Sequence, residues 1–346
     1  MNLNDLLTKS LTDDGPVALV LKQALLPVDG PDGIIFPPTF APPQGRQPGP
    51  FHPYNVDQFV DGSNSCLIDS VPSQANRIEP ELGRVSPAII PPVSITIGGG
   101  EVDLLQVGHR VADALVRFSA LEPDVSRALG DYSSGDATRL ARLAPTSLLF
   151  GAWDSRASGV KIPRLVQSAI RASNVEMLTR SSQYFPPVNY KDLQLVEAAV
   201  PDDALSAEGL LAVPAGFTHG GVRVKGTIQR DAVINFVTLR SIRAAEQADQ
   251  LRLYLAALAS AAVLYPQRYN LRQGCLLVQS PEAAPELSAV YYNGRREPVQ
   301  CGYDDALKFA HAAAANFGIA SERRVAFEPA KLKQAIDAKK AAKKAK

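Results

Sequence analysis

A chain of 346 residues, 46% of them hydrophobic and 21% charged, buries a substantial core, which excludes an intrinsically disordered protein. Its formal charge of +1 conceals a division: residues 331–346 carry a net +6, leaving residues 1–330 at −5. A mildly acidic body with locally concentrated cations excludes a uniformly basic nucleic-acid coat and fits a confined polyanion groove.

Residues 16–28 (PVALVLKQALLPV) predict a first buried strand. From 29 to 53, glycine and proline follow in quick succession, so a long loop ordered only by a partner is expected there. After Cys66-Leu67-Ile68, Asp69 or Ser70 can cap a helix of about two turns, with Pro72 tolerated in its first turn and Pro80 near its end. Its sequence, Ser73-Gln74-Ala75-Asn76-Arg77, gathers hydroxyl, amide and guanidinium groups where a core helix would carry an apolar stripe. These groups either satisfy neighbouring loops or hold phosphates and 2′-hydroxyls of a single strand.

Residues 84–97 read as extended, with a turn at Gly98-Gly99-Gly100, and 104–121 as one amphipathic helix. Trp153 reads as core in preference to a base-stacking platform. Pro163 is expected to open a helix in which Arg164, Gln167, Arg171 and Asn174 form an outward ridge at spacings of three and four. Between Arg156 and Gln183 stand Arg156, Lys161, Arg164, Arg171 and Arg180 against Glu176 alone; between Arg223 and Arg243 five cations face Asp231 alone. Residues 221–239 alternate as a basic hairpin after the turn Thr218-His219-Gly220-Gly221. Residues 244–265 and 303–318 predict buried helices, 275–280 and 287–292 late strands, and 331–346 a solvated basic tail without fixed structure.

The sequence lacks the glycine-lysine phosphate loop and the His-Glu-x-x-His zinc helix. Cys66, Cys275 and Cys301 are too dispersed for a metal site or a disulfide framework, and read as reduced thiols. No cofactor, metal or catalytic residue is expected. The N-terminus is not organised as a signal peptide and the most apolar run, 251–265, is too short to span a bilayer, so a cytoplasmic protein without membrane contact is expected. His219, beside Arg223 and Lys225, is either a stacking histidine or an acid–base group for RNA cleavage.

Three blocks carry a resemblance: LIDSVPSQANRIEP (67–80), FGAWDSRASGVKIPRLVQSAIRASNV (150–175) and LTRSSQYFPPVNY (178–190). They closely resemble signature blocks of the CRISPR-associated RAMP proteins that form the Cascade backbone of type I-G, formerly I-U, systems. The similarity runs from about residue 30 to 325. It implies an α+β fold: a single elaborated domain over 1–330, with a modified RNA-recognition-motif (ferredoxin-like) palm and large insertions that form fingers and a β-hairpin thumb. The proline-rich insertion at 29–65 would be a finger or inter-subunit element, and 216–235 a candidate thumb.

The function implied is that of a noncatalytic subunit polymerising head to tail along CRISPR RNA as a helical ribonucleoprotein. The guide pairs with target DNA in antiviral defence, and specificity resides in the RNA. Partners would be CRISPR RNA, further copies of the chain, a large subunit and a repeat-binding cap subunit. The expected RNA-binding residues are Ser73, Gln74, Asn76, Arg77, Arg156, Lys161, Arg164, Gln167, Arg171, Arg180, Gln183, His219, Arg223 and Lys225. The alternative is a RAMP-type endoribonuclease, processing precursor RNA through His219 or cutting target RNA through an aspartate such as Asp231.

Overall fold

The structure, a computed structural model, describes residues 1–41, 53–181, 183–197, 199–214 and 218–344. The elements that frame the site are, among strands, β1 (Ala18–Pro27), β2 (Ile34–Ile35), β3 (Val56–Gln58), β4 (Asn64–Asp69), β5 (Val166–Ser173), β6 (Val175–Arg180), β7 (Thr218–Val224), β8 (Ile228–Asn235), β9 (Cys275–Gln279) and β10 (Glu286–Val290). The helices are α1 (Val71–Gly83), α2 (Ala248–Leu264), α3 (Tyr303–Phe317) and α4 (Pro329–Lys344).

Alternation in β1 and β8 sets one face inward. Leu19, Leu21 and Leu25 are buried, and opposite them in antiparallel register stand Ile234, Ala232 and Ile228. β8 also pairs β5, β5 pairs β4, and β9 and β10 both pair β1 on its other side, all antiparallel. The order is thus β9/β10, β1, β8, β5, β4, β3. With α1 preceding β5 and α2 following β8, this α+β arrangement has the strand order of a β-α-β-β-α-β ferredoxin-like unit, compatible with the modified RNA-recognition palm.

Both helices join the sheet's inward face in one core that includes Ile78, Leu82, Leu255 and Leu258 with Leu21 and Ala232. α2 is buried almost all round because alanines at 256, 257, 259, 261 and 262 let its neighbours approach closely; on its far side Tyr254 stacks on Phe317 of α3 with ring centroids 5.2 Å apart.

Several expectations are corrected. Residues 166–173 form a strand, because burial alternates: Val166, Ser168, Ile170 and Ala172 face the core while Gln167 and Arg171 are exposed. A spacing of four suits both a helix face and one side of a strand, so the ridge is ambiguous in sequence. Asn174 ends the strand at φ +51°. The stretch 104–121 is broken into short turns and a four-residue helix, since Asp103 and Asp113 each cap a new start and Arg110 takes φ +53°.

The hairpin expected over 221–239 does not form between its own halves. Instead β7 pairs β6 and β8 pairs β5, so the palm strands β5 and β8 continue into an arm in which β6 and β7 run together. Asn64 fastens the joint: its Oδ1 accepts from Val175 N at 2.7 Å and its Nδ2 donates to Val175 O at 3.0 Å. His219 therefore lies in a strand, not a turn. The first part of the proline-rich insertion is ordered by this chain itself: β2 pairs β7, and buried Ile35 joins Tyr54, Val222 and Val224 in a second core at the arm's base. Residues 42–52 lie outside the described residues. α1 is longer than expected, running 13 residues through Pro80, and the tail expected to lack structure is helical as α4. Residues 345–346 lie outside the description. No helix among the described residues is long and apolar enough to cross a membrane.

Candidate nucleic-acid interface

At the junction of β4 and α1, Ser70 caps the helix, its side chain accepting from Ser73 N. Asp69, wholly buried, accepts from Ser73 Oγ at 2.7 Å, Gln74 Nε2 at 2.7 Å and Arg77 Nε at 3.1 Å, with Arg272 3.4 Å away. Residues one helical turn apart share a face, which is why Ser73 and Arg77 meet the same carboxylate. Behind them, Gln74 Oε1 accepts from Ser168 Oγ at 3.0 Å, and Ser168 Oγ accepts from Arg230 Nε at 3.1 Å.

Arg230 is buried at 1% exposure with no carboxylate in contact among the described residues, and burial pushes its pKa down. It donates to Val263 O at 3.0 Å and reaches Gln23 Oε1, which Tyr269 OH also approaches at 2.6 Å. This network accounts for two of the expected RNA contacts differently: Gln74 is fully buried and occupied on both sides, and Ser73 is spent on Asp69. Burial removes Gln74 from the interface.

The outer side of α1 is open. Asn76, Arg77, Pro80 and Arg84 face Tyr265, Gln267 and Arg268 across a cleft of about 530 Å³. Pro80 has no N–H to give the Asn76 carbonyl, so the helix presents that acceptor to the cleft. Arg77 keeps a third of its side chain exposed while its guanidinium is fixed between Asp69 and Leu271 O, at 2.6 Å from the latter. Glu81 is the cleft's one carboxylate among the described residues; it pairs with Arg84 and accepts from Tyr265 OH at 2.8 Å. Burial, reinforced by Glu81, pushes the Tyr265 hydroxyl up to about 12, so it remains a donor at neutral pH. Arg268 has no carboxylate partner among the described residues. Arg77 and Arg84 are each paired with a carboxylate, Asp69 and Glu81, and Arg268 adds a third guanidinium with none among the described residues, so the cleft's charge favours an anion.

The remaining expected residues lie elsewhere. Gln167 and Arg171 occupy the sheet's face away from the helices, where Arg171 stands opposite Gln229, and Lys22 opposite Asp231. On the arm, Arg223 pairs with Asp32 at 2.6 Å, Lys225 lies 3.9 Å from Glu176, and Arg180 sits over the Phe36 ring at 5.1 Å. The His219 ring meets Tyr54 edge-on at 5.8 Å, and Tyr54 OH accepts from Gly221 N at 2.8 Å. Gln183 is paired through its backbone with Pro214. Lys161 belongs to a short hairpin, Ala152–Trp153 with Lys161–Ile162, whose loop holds Arg156, and Arg164 follows it by two residues. Trp153 on that hairpin is 63% exposed, not core as expected.

The structure thus distributes the fourteen residues over five places and does not gather them into one groove. Sequence reasoning missed Arg268, Tyr265 and Arg84 of the cleft and Arg230 of the network. The run Tyr265-Pro-Gln-Arg-Tyr-Asn270 has the same amide, guanidinium and aromatic density as 73–77, and that density is the signal that could have found them. Among the described residues, no group of three His, Cys, Asp or Glu is placed to hold a metal ion.

Residues 19–177, from β1 to the first half of β6, match the family model described as CRISPR-associated protein GSU0053. The match takes in α1 with its capped network and the Trp153 hairpin. No curated protein matches the chain. Over those residues, somewhat less than half of the chain, it is similar to this CRISPR-associated, RAMP-like family.

Proposed function

We propose that the chain is a noncatalytic backbone subunit of a Cascade-type effector that binds CRISPR RNA and presents it for pairing with target DNA. The cleft between α1 and Arg268 carries the reading. It offers guanidiniums and amides suited to phosphates and 2′-hydroxyls, contacts that a subunit serving any guide requires. The family match supports the CRISPR setting. The exposed pair Gln167 and Arg171 gives the sheet's open face a second polar contact, and the arm formed by β6 and β7 is the natural candidate for the thumb in place of a hairpin confined to 216–235.

In this reading further copies associate head to tail, an open heterologous arrangement whose length the RNA sets, and the large and cap subunits complete the particle in the cytoplasm. Replacing Arg77 by glutamine and Arg268 by glutamate together tests it: RNA retention is abolished, and because a neutral residue at 77 sets no second carboxylate beside buried Asp69, the fold survives. Unchanged RNA occupancy would reject the cleft. Cleavage of repeat-containing RNA by the purified protein, abolished by His219→Ala or Asp231→Ala, would overturn the noncatalytic assignment.

A further inference from the structure

Trp153 is the one tryptophan of the chain, and more than half of it is open to solvent. It does not stand on a loose loop. Trp153 pairs with Lys161 across a two-stranded hairpin, and Lys161 Nζ lies 5.8 Å from the indole centroid. The connecting loop is held from within by Asp154, whose carboxylate accepts from Ala157 N at 3.2 Å, Ser158 N at 2.8 Å and Ser158 Oγ at 2.7 Å. Backbone bonds from Asp154 N to Val160 O and from Gly159 N to Asp154 O close it further.

The root is equally fixed. Gly151 takes φ +79°, and a Cβ there would lie 2.8 Å from Arg164 Cγ; Arg110 donates to Gly151 O at 3.0 Å, and Arg164 Nε donates to Phe150 O at 3.1 Å. A rigid hairpin therefore displays one indole beside Lys161, with Arg156 in its loop and Arg164 two residues past its second strand, all exposed, while its only acid, Asp154, is turned inward and buried.

We propose that this hairpin is a stacking platform on which Trp153 receives an unpaired base of a bound single strand, with Arg156, Lys161 and Arg164 along the flanking phosphates. The inference rests on the RNA-binding reading and adds a base-contacting site to it. An exposed indole serves protein interfaces as well as nucleic acids. Here the hairpin and its root carry three exposed cations and no outward acid, so a protein partner would have to supply a carboxylate for each, whereas a single strand brings a π-face and regularly spaced anions together. Stacking accepts every base, which suits a subunit whose guides vary in sequence.

Because Trp153 is the sole indole, its fluorescence reports this site directly in the full-length protein. We would titrate a uridine homopolymer and the same backbone with abasic positions into wild type, Trp153→Leu and Trp153→Phe, following fluorescence in the wild type and affinity in all three. The expected result is indole quenching by the homopolymer only, roughly tenfold weaker homopolymer binding in Trp153→Leu, near-normal binding in Trp153→Phe, and an unchanged salt slope. Homopolymer binding without quenching, together with a neutral Trp153→Leu, would overturn the platform and leave RNA binding intact. No binding by wild type would instead remove the underlying reading and the platform with it. An indole that responds only when a protein subunit is added would assign the hairpin to a protein interface and also reject the proposal.

Discussion

Gln74 donates its amide to Asp69 at 2.7 Å, and neither side chain reaches solvent. The most polar stretch of the sequence is thereby two-sided. Its inner half, Ser73 and Gln74, braces α1 against β4 and β5, and its outer half, Asn76 and Arg77, is left to meet a ligand. Arg77 belongs to both, held by Asp69 on one side and facing the cleft on the other.

The brace predicts unequal costs. Asp69→Ala leaves Arg77, Arg272 and the Gln74 amide without their shared acceptor, and should destabilise by about 3–5 kcal/mol. Arg77→Ala leaves Asp69 with its other donors and opens a partly exposed position, so about 1–2 kcal/mol is expected. Urea midpoints of the two single variants and the double variant give both values and the coupling between them.

RNA binding should report the outer half separately. Arg77→Ala and Arg268→Ala should weaken binding to single-stranded RNA of any sequence to a similar degree. Each removes one cation that neutralises a phosphate, and so should lower the magnitude of the log-log salt slope by about 0.7. Filter binding between low and physiological salt measures it.

Most of the fold is legible in the sequence. Apolar runs of helix or strand length mark β1, α2, α3 and the late strands, and Ser70 with Pro72 marks the start of α1. Each element that reads wrongly does so for a physical cause. Gln167 and Arg171 fit periods of 3.6 and 2 equally well, so β5 reads as a helix. Val222 and Val233 lie in neighbouring alternating runs, but their partners, Met177 and Gln167, are supplied from far away in the chain, and local pattern cannot choose between hairpin and arm. Asp69 shows in sequence as a cap, whereas its role as acceptor for Arg272 depends on a residue two hundred positions later. Trp153 reads as core because tryptophan is usually buried; only the tightly turned loop around Asp154 explains its display.

The arm's base depends on glycine at 221. Its φ is +91°, and a Cβ would stand 2.7 Å from Ile34 Cγ2 and 2.9 Å from Ile35 O, in the seam where β2 meets β7. Gly221→Ala should therefore cost more than about 1 kcal/mol, from backbone strain and a loosened seam together. The effect should appear as faster amide exchange in 34–36 and 218–224, with the palm strands β1 and β8 unchanged.

The buried thiols predict an alkaline limit to stability. Burial pushes Cys66 up to about 12 and Cys275 up to about 11, against about 8.5 for an unfolded cysteine. Between those values the unfolded chain has released protons that the folded chain retains, so stability from these groups is complete below about pH 8.5 and disappears as pH rises through 11–12. The urea midpoint should fall between about pH 8.5 and 10, less steeply in Cys66→Ala, and both thiols should resist alkylation at about pH 8 until the protein unfolds.

The most direct test of the central claim is size-exclusion chromatography with light scattering and absorbance at 260 and 280 nm, on protein produced with and without a CRISPR array. The account predicts a large, nucleic-acid-rich species only with the array, containing one intact guide-length RNA, and its disappearance in the Arg77→Gln, Arg268→Glu variant. A nucleic-acid-free monomer under both conditions, including in the presence of the other subunits encoded with it, would contradict the assignment of this chain as the RNA-binding backbone.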